Sequence, residues 1–381
     1  MATRPCALWL VPVPDFGGVA RHVIDVAEHG IPGWDLAVLC PEGALADRLE
    51  ATGCRVITGE FGTEHGFRAS VRTLRSAIDD LSPVVVHAHL AYADIVAAVV
   101  VNYLKVATFL DGRTGAPLLA TTEHGIAPED STYQDSRWRG PAMRLVHGVR
   151  LRVTDRKAAV CESTRRVMAA KWKAHRVEVI RNGVDVGRIR RTVEERRKTL
   201  APKAPTFLTL SRLSEEKGLD VVVRAFAVVL KRRPDAKLVI AGRGPSEESL
   251  RSLVRGLQLE ESVRFAGFLD PLDALAGADV LVQISAWENY SYTLLDAVAA
   301  GIPVVANDVG GNAEILAHDA VLRGNIGVHD LARGMDAALN RPAAAAESLS
   351  SIREMTESLA AFYAGPHHKQ RSGRVKNDRS R

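Results

Sequence analysis

Two doubly wound α/β domains in sequence are the fold class this chain predicts, on three observations. Short apolar runs alternate with helix-length amphipathic stretches, the alternation occurs twice, and 381 residues suit two domains of roughly 100–200 residues each. Alternating strand and helix requires parallel sheets covered on both faces by helices.

The first run, Ala7-Leu-Trp-Leu-Val-Pro-Val13, reads as a buried strand, after which Val19, Val23, Val26 and Gly30 keep helical spacing. Strands are expected at 36–39, 84–89, 118–122 and 158–161, then in a second series at 207–210, 237–241, 263–265, 280–284 and 303–306. Ten such runs exceed one small sheet and fit two. The domain boundary is expected between Val177 and Pro205, where the stretch 187–205 is rich in Arg, Glu and Lys and ends on Pro202 and Pro205. The first domain is expected over 1–176 and the second over 177–345. A helix over 348–363 is expected to pack back on the first domain, and 365–381, almost without apolar residues, to be a disordered basic tail.

Composition excludes several classes. With 46% apolar residues the chain has ample material for a core, which rules out full disorder. Cys6, Cys40, Cys54 and Cys161 lie far apart with no Cys-x-x-Cys, so neither a disulfide scaffold nor a zinc ribbon is expected; they should be reduced and buried. The run 7–13 is broken by Pro12 and followed by no small-residue cleavage site, so no secretory signal is expected. The stretch 95–110 contains Asn102 and Lys105. It falls short of the roughly 18–20 apolar residues a spanning helix needs and reads as a buried core helix.

The pI of 9.1 invites a nucleic-acid reading, but residues 367–381 carry six Lys/Arg against one Asp and account for the whole net charge of +5. No aromatic-basic strand motif accompanies it, so no nucleic acid is expected as partner. Residues 137–176 are different: twelve Lys/Arg face only Asp155 and Glu162. Interleaved with Trp138, Met143, Leu145, Val149, Met168 and Trp172, they could seat the first domain on an anionic membrane. A solvated face with its apolar residues turned to the core explains the same residues equally well.

In open α/β sheets ligands bind where strands lead into helices. Gly17 and Gly18 follow the first strand and would let a phosphate approach a helix N-terminus; a tight strand-to-helix turn fits them as well. Neither Gly-x-Gly-x-x-Gly nor a Walker loop occurs. Arg212 and Lys217 flank the loop after the second domain's first strand, where two cations could clamp a diphosphate or simply be solvated. Ser214 to Lys217 also spells Ser-x-x-Lys, but the companion motifs of penicillin-binding enzymes are missing. Gly242-Arg-Gly244-Pro245 is a weak phosphate-loop signal. Ser291 suits an N-cap, which places Glu288 at a helix mouth and Asp296 just over one turn inside. His87 and His89 share one strand face and read as structural or acceptor-side residues rather than a metal pair.

Ile180-Arg-Asn-Gly-Val-Asp185, Ser211-Arg-Leu-Ser-Glu-Glu-Lys-Gly218, Ile240-Ala-Gly-Arg-Gly-Pro245, Glu288-x7-Asp296, Ala300-Gly-Ile-Pro-Val-Val305 and Gly310-Gly-Asn-Ala-Glu314 occur in one order. Together with Gly17-Gly18-Val, His87-Ala-His89 and Thr121-Thr-Glu-His124-Gly, they resemble the retaining glycosyltransferases of family four, of the GT-B fold, over about residues 7–316. The resemblance implies a cleft between two Rossmann-like domains, the second binding a nucleotide-diphosphate sugar and the first an acceptor, as in enzymes of bacterial glycan, glycolipid and cell-surface polysaccharide biosynthesis. It implies that Arg212 and Lys217 hold the diphosphate, Glu288 contacts the donor sugar, Asp296 the ribose, and Thr293 and Leu294 the phosphate through backbone N–H. Gly17 and Gly18 would close on the diphosphate, and His124 would lie beside the sugar. Two departures stand out: Asp296 replaces the family's Glu, and Arg181 replaces its Pro.

No Asp-x-Asp occurs, so neither metal nor other cofactor is expected beyond the donor substrate. The expected activity is metal-independent hexosyl transfer to a glycan or lipid-linked acceptor, in the cytoplasm or peripherally on the inner face of the cell membrane. A sugar-nucleotide epimerase and a non-catalytic sugar-nucleotide-binding relative remain open on the same residues.

Overall fold

The computed structural model describes residues 4–112, 115–126, 139–200, 204–342 and 346–365. The first half runs β1 (Cys6–Leu10), α1 (Gly18–His29), β2 (Asp35–Cys40), α2 (Ala44–Ala51), β3 (Arg55–Thr58), α3 (Phe67–Leu81), β4 (Val85–His89), α4 (Ala91–Leu110), β5 (Leu118–Glu123), α5 (Arg139–Arg152), β6 (Arg156–Ala159), α6 (Glu162–Trp172) and β7 (Val177–Val179). These strands form a parallel seven-stranded sheet of order β3-β2-β1-β4-β5-β6-β7.

The second half runs α7 (Val186–Lys198), β8 (Thr206–Leu210), α8 (Leu219–Leu230), β9 (Lys237–Ala241), α9 (Glu247–Gly256), β10 (Val263–Gly267), α10 (Pro271–Ala276), β11 (Val280–Gln283), α11 (Tyr292–Ala299), β12 (Val304–Asn307), α12 (Asn312–Ile315), β13 (Val321–Leu322) and α13 (Val328–Ala338), before α14 (Ile352–Ala364). Its parallel six-stranded sheet has the order β10-β9-β8-β11-β12-β13. The predicted two-domain, doubly wound α/β class is what the structure has.

Each sheet is covered on both faces, as its continuous apolar strands require. Along β1, Ala7 and Trp9 enter one core with α1 and α14, while Leu8 and Leu10 enter the opposite core with α3 and α4. The second sheet is likewise sandwiched between two apolar clusters.

Three strands escaped the pattern, namely β3, β7 and β13, with four, three and two residues. β7 corrects a boundary at 176, because it pairs with β6 in the first sheet. The crossing therefore follows it, and α7 already packs against α10 and α11. The chain returns through α14, where the Ser351 hydroxyl accepts from the N–H of Glu354 at 3.1 Å and the Glu354 carboxylate accepts from the N–H of Ser351 at 2.7 Å. Gly183 permits this return: a Cβ there would lie 2.3 Å from the carbonyl oxygen of Ser351.

α4 is only partly the core helix expected. Ala93, Val96, Ala97, Val100 and Val101 are buried, but Tyr103, Val106, Phe109 and Leu110 are exposed. By length and composition α4 could cross a membrane, yet here it packs on α3, β4 and β5. The four cysteines are free, Cys40 and Cys161 buried and Cys6 and Cys54 half-buried. The basic tail lies outside the described residues.

Candidate active site

The loops leaving β1, β8 and β11 and the ends of β4 and β5 are where the predicted residues fall. Gly17 caps α1 in an extended conformation and, having no side chain, leaves the first N–H groups of the helix without a side-chain cap of its own. A Cβ at Gly17 or Gly18 would meet nothing within 4 Å among the described residues. Packing therefore does not demand these glycines, and a helix N-terminus entered through them is of the kind that suits an anion.

The loop after β8 carries Lys217, whose Nζ lies 2.9 Å from Glu288 Oε2 in the loop after β11. Both side chains are largely buried, and Gln283 and Ser285 each donate to the same carboxylate oxygen at 3.4 Å. The two loops are held together by the N–H of Ala286 donating to the Glu216 carbonyl at 2.7 Å. Gly310 is needed beneath them: its φ is +57°, and a Cβ would lie 1.9 Å from the Glu288 carbonyl oxygen. Arg212 stays outside this pair, on a groove of about 590 Å³ with Ser214, Glu216 and Ser246.

α11 starts as the sequence predicts, with Ser291 as N-cap. The Ser291 hydroxyl is 3.4 Å from the N–H of Leu294, so that N–H already has an intrachain partner. Thr293 is half-buried in the first turn and Leu294 is in the core. Asp296 is 1% exposed, and its two oxygens each accept from Arg21 of α1, from Nη1 and Nη2, at 3.2 Å. Arg21 Nε is 2.9 Å from Asp25 Oδ2, and the guanidinium lies over the Tyr292 ring at 5.0 Å. Burial raises the carboxyl of Asp296 against the opposing pull of Arg21. Burial likewise raises Asp25 to about 6. For Arg21, burial disfavours the charge but Asp296 and Asp25 outweigh it, so its pKa rises.

His124 Nε2 is 2.8 Å from His89 Nδ1. His22 Nδ1 is 3.1 Å from Asn182 Oδ1, and the Asn182 amide donates to the Tyr290 carbonyl at 3.2 Å. That second bond fixes the amide, so His22 donates through Nδ1 and its Nε2 holds the lone pair. The ligand atoms of His22, His89 and His124 lie within 4.8 Å of one another and could hold a metal ion. Burial lowers all three, His22 to about 4 and the others well below the usual range, which leaves neutral rings.

His87 belongs to a separate run of hydrogen bonds. Trp9 can only donate, and its Nε1 is 2.7 Å from the Tyr363 hydroxyl. That hydroxyl therefore gives its own proton to His87 Nδ1 at 2.6 Å, and His87 Nε2 donates to Thr122 Oγ1 at 2.8 Å. His87 is structural, tying α14 to the first sheet.

Between the domains lies a pocket of about 190 Å³ lined by Ile126, Ser163 and Thr164 on one side and Trp287, Glu288 and Asn289 on the other. Glu314 spans the same cleft, accepting from the N–H groups of Glu162 and Ser163 at 3.1 and 2.9 Å. Sequence reasoning missed Arg21, whose only local signal is the Arg21-x3-Asp25 spacing of a common surface pair. Within the basic segment 137–176, Arg150 is turned inward and buried against Asp94 and Glu123. Met168 and Trp172 are core residues too, while Leu145 and Val149 are exposed; Trp138 lies outside the described residues.

A family model described as Glycosyltransferase Family 4 matches residues 16–188, and one described as Glycosyl transferases group 1 matches 191–356. The glycogen synthase of Mycobacterium tuberculosis is 29% identical over 91% of this chain and 88% of its own. The alpha-monoglucosyldiacylglycerol synthase of Streptococcus pneumoniae is 38% identical over 27% of this chain and 24% of its own. The chain thus spans about a quarter of the length of that relative. The crystal structure of Anabaena Alr3699/HepE in complex with UDP and glucose superposes with a TM-score of 0.67, at 20% identity, over 93% of this chain and 94% of that one; at that identity the likeness shows the fold. With family matches across both halves and two parallel Rossmann-like sheets facing one cleft, the chain belongs to the GT-B glycosyltransferases of the family-four type.

Proposed function

We propose that this glycosyltransferase moves a hexosyl group, with retention, from a nucleotide-diphosphate sugar to an acceptor hydroxyl in glycan, glycolipid or cell-surface polysaccharide biosynthesis. The observation that carries the reading is the Lys217–Glu288 pair at 2.9 Å, which joins the residue matched to the diphosphate with the residue matched to the donor sugar. Lys217 and Arg212 supply fixed cations, and the N-terminus of α1 supplies N–H donors, where negative charge develops as the diphosphate leaves. That stabilisation needs neither metal nor other cofactor. The bond from the anomeric carbon to the phosphate oxygen breaks while the acceptor oxygen bonds to the same face of that carbon, and the departing phosphate takes the acceptor proton. No dedicated base is required. His124, neutral and held by His89, is suited to hydrogen-bond the sugar.

A lipid-linked acceptor and a peripheral seat on the cytoplasmic face of the membrane are favoured by a specific observation. Val99, Tyr103, Val106 and Phe109 of α4 are 50–80% exposed, and Leu145 and Val149 of α5 are exposed as well. Apolar and aromatic side chains on neighbouring helices suit an interfacial contact. The name of the pneumococcal relative, a diacylglycerol glycolipid synthase, points the same way.

The test is a thermal-shift screen of UDP-, GDP-, ADP- and dTDP-sugars, followed by turnover with and without candidate acceptors. Ligand at 100 times its Kd should stabilise by about 2.7 kcal/mol. Product formed without acceptor would replace the transferase reading with an epimerase, and binding without turnover would indicate the non-catalytic relative. Flotation on anionic and neutral liposomes at low and high salt tests the membrane seat, which equal recovery on both, or none on either, would remove.

A further inference from the structure

The donor-site reading above leaves Asp296 facing the ribose, yet its carboxylate is engaged. It is 1% exposed, and both oxygens accept from the Arg21 guanidinium at 3.2 Å across the interdomain cleft. A ribose diol needs those same oxygens and a path to them. Arg21 is itself held on its far side: Nε bonds Asp25 at 2.9 Å, and its plane covers Tyr292 at 5.0 Å. The Tyr292 hydroxyl is buried without a hydrogen-bond partner among the described residues. The contact is thus a bidentate fork, pre-oriented on one helix, engaging the first turns of another.

We propose that Arg21 and Asp296 form a donor-exchanged latch: the guanidinium closes α1 onto α11 while the cleft is empty, and the ribose hydroxyls of the donor take its place on Asp296. The proposal rests on the donor-site reading and adds a residue of the first domain to it. It also accounts for the aspartate. A glutamate would carry its carboxylate about one C–C bond, ~1.5 Å, further, into a guanidinium already at hydrogen-bond distance. The shorter side chain lets the two helices meet through this pair. The neighbouring bonds from Asn182 to Tyr290 and from Glu314 to the start of α6 hold the domains in register while it forms.

The experiment compares the full-length wild type with Arg21→Gln, Arg21→Lys, Asp296→Asn and Arg21→Gln/Asp296→Asn. Titration calorimetry with UDP, GDP, ADP and dTDP gives affinities, and amide hydrogen exchange without nucleotide reports on α1 and α11. Arg21→Gln should bind the preferred nucleoside diphosphate at least fivefold more tightly, with faster exchange in α11. Arg21→Lys, which keeps the charge without the fork, should fall between it and wild type. Asp296→Asn should bind more weakly, and adding Arg21→Gln to it should change nothing further. Unchanged or weaker binding by Arg21→Gln, where wild type binds, overturns the latch alone. Failure of all four nucleotides to bind wild type overturns the donor-site reading and the exchange with it. Unaltered exchange in α11 of Arg21→Gln overturns the closing contact whatever the nucleotides do.

Discussion

Tyr363→Phe isolates one hydroxyl that holds the C-terminal helix to the first domain. The hydroxyl accepts from Trp9 at 2.7 Å and donates to His87 at 2.6 Å; Trp9 and His87 are both 0% exposed. Phenylalanine keeps the ring and its edge contact with Trp34 at 5.1 Å, so little packing is lost. It leaves two buried groups without partners, the indole N–H and His87 Nδ1, each costing about 1–3 kcal/mol. Retautomerisation of His87 does not help, because a proton on Nδ1 would then lack an acceptor. The expected loss is about 3 kcal/mol, or about 6–12 °C in Tm at about 2–4 °C per kcal/mol for a domain of this size. The assay is calorimetry together with denaturant unfolding followed by tryptophan fluorescence. A loss below about 1 kcal/mol would refute the directed chain and with it the structural role of His87.

Other consequences are equally accessible. Lys217→Ala removes one charge-assisted bond of roughly 1.5–3 kcal/mol, so nucleoside-diphosphate affinity should fall on the order of 10- to 100-fold with circular dichroism unchanged. Gly310→Ala puts a Cβ 1.9 Å from the Glu288 carbonyl oxygen at φ +57°; turnover should drop sharply and the melting point with it. Stability should fall as pH drops below about 6.5, because His22 and His87 are held down to about 4 and about 3, so the unfolded state binds more protons through that window. Asp25, raised to about 6, works in the opposite sense: its contribution is present below the unfolded carboxyl range and is lost as pH rises through about 6. Asp25→Asn should therefore steepen the acid limb of a Tm-against-pH profile.

The amino-acid sequence by itself determined the alternation of strands and helices, the two-domain class and the loops that carry chemistry. Those features are local: a buried parallel strand is a continuous apolar run, a helix start is a capping residue, and both are written within a dozen residues. β9 was legible to the residue, from Lys237 to Ala241. β3, β7 and β13 were not, because runs of two to four residues at or beside a sheet edge carry too little apolar pattern to stand out. The site divided along the same line. Glu288 could be placed at a helix mouth and Asp296 just over one turn inside it from the Ser291 cap, and Lys217 on a loop beside a cation. What tertiary structure alone decided is which partners they meet: Lys217 on Glu288 from 71 positions away, Asp296 on Arg21 from 275 away, and Tyr363 on His87 from 276 away. Pairings of that kind depend on how two sheets and a returning helix are packed, and a buried charge reveals its partner only once the chain has brought the two together.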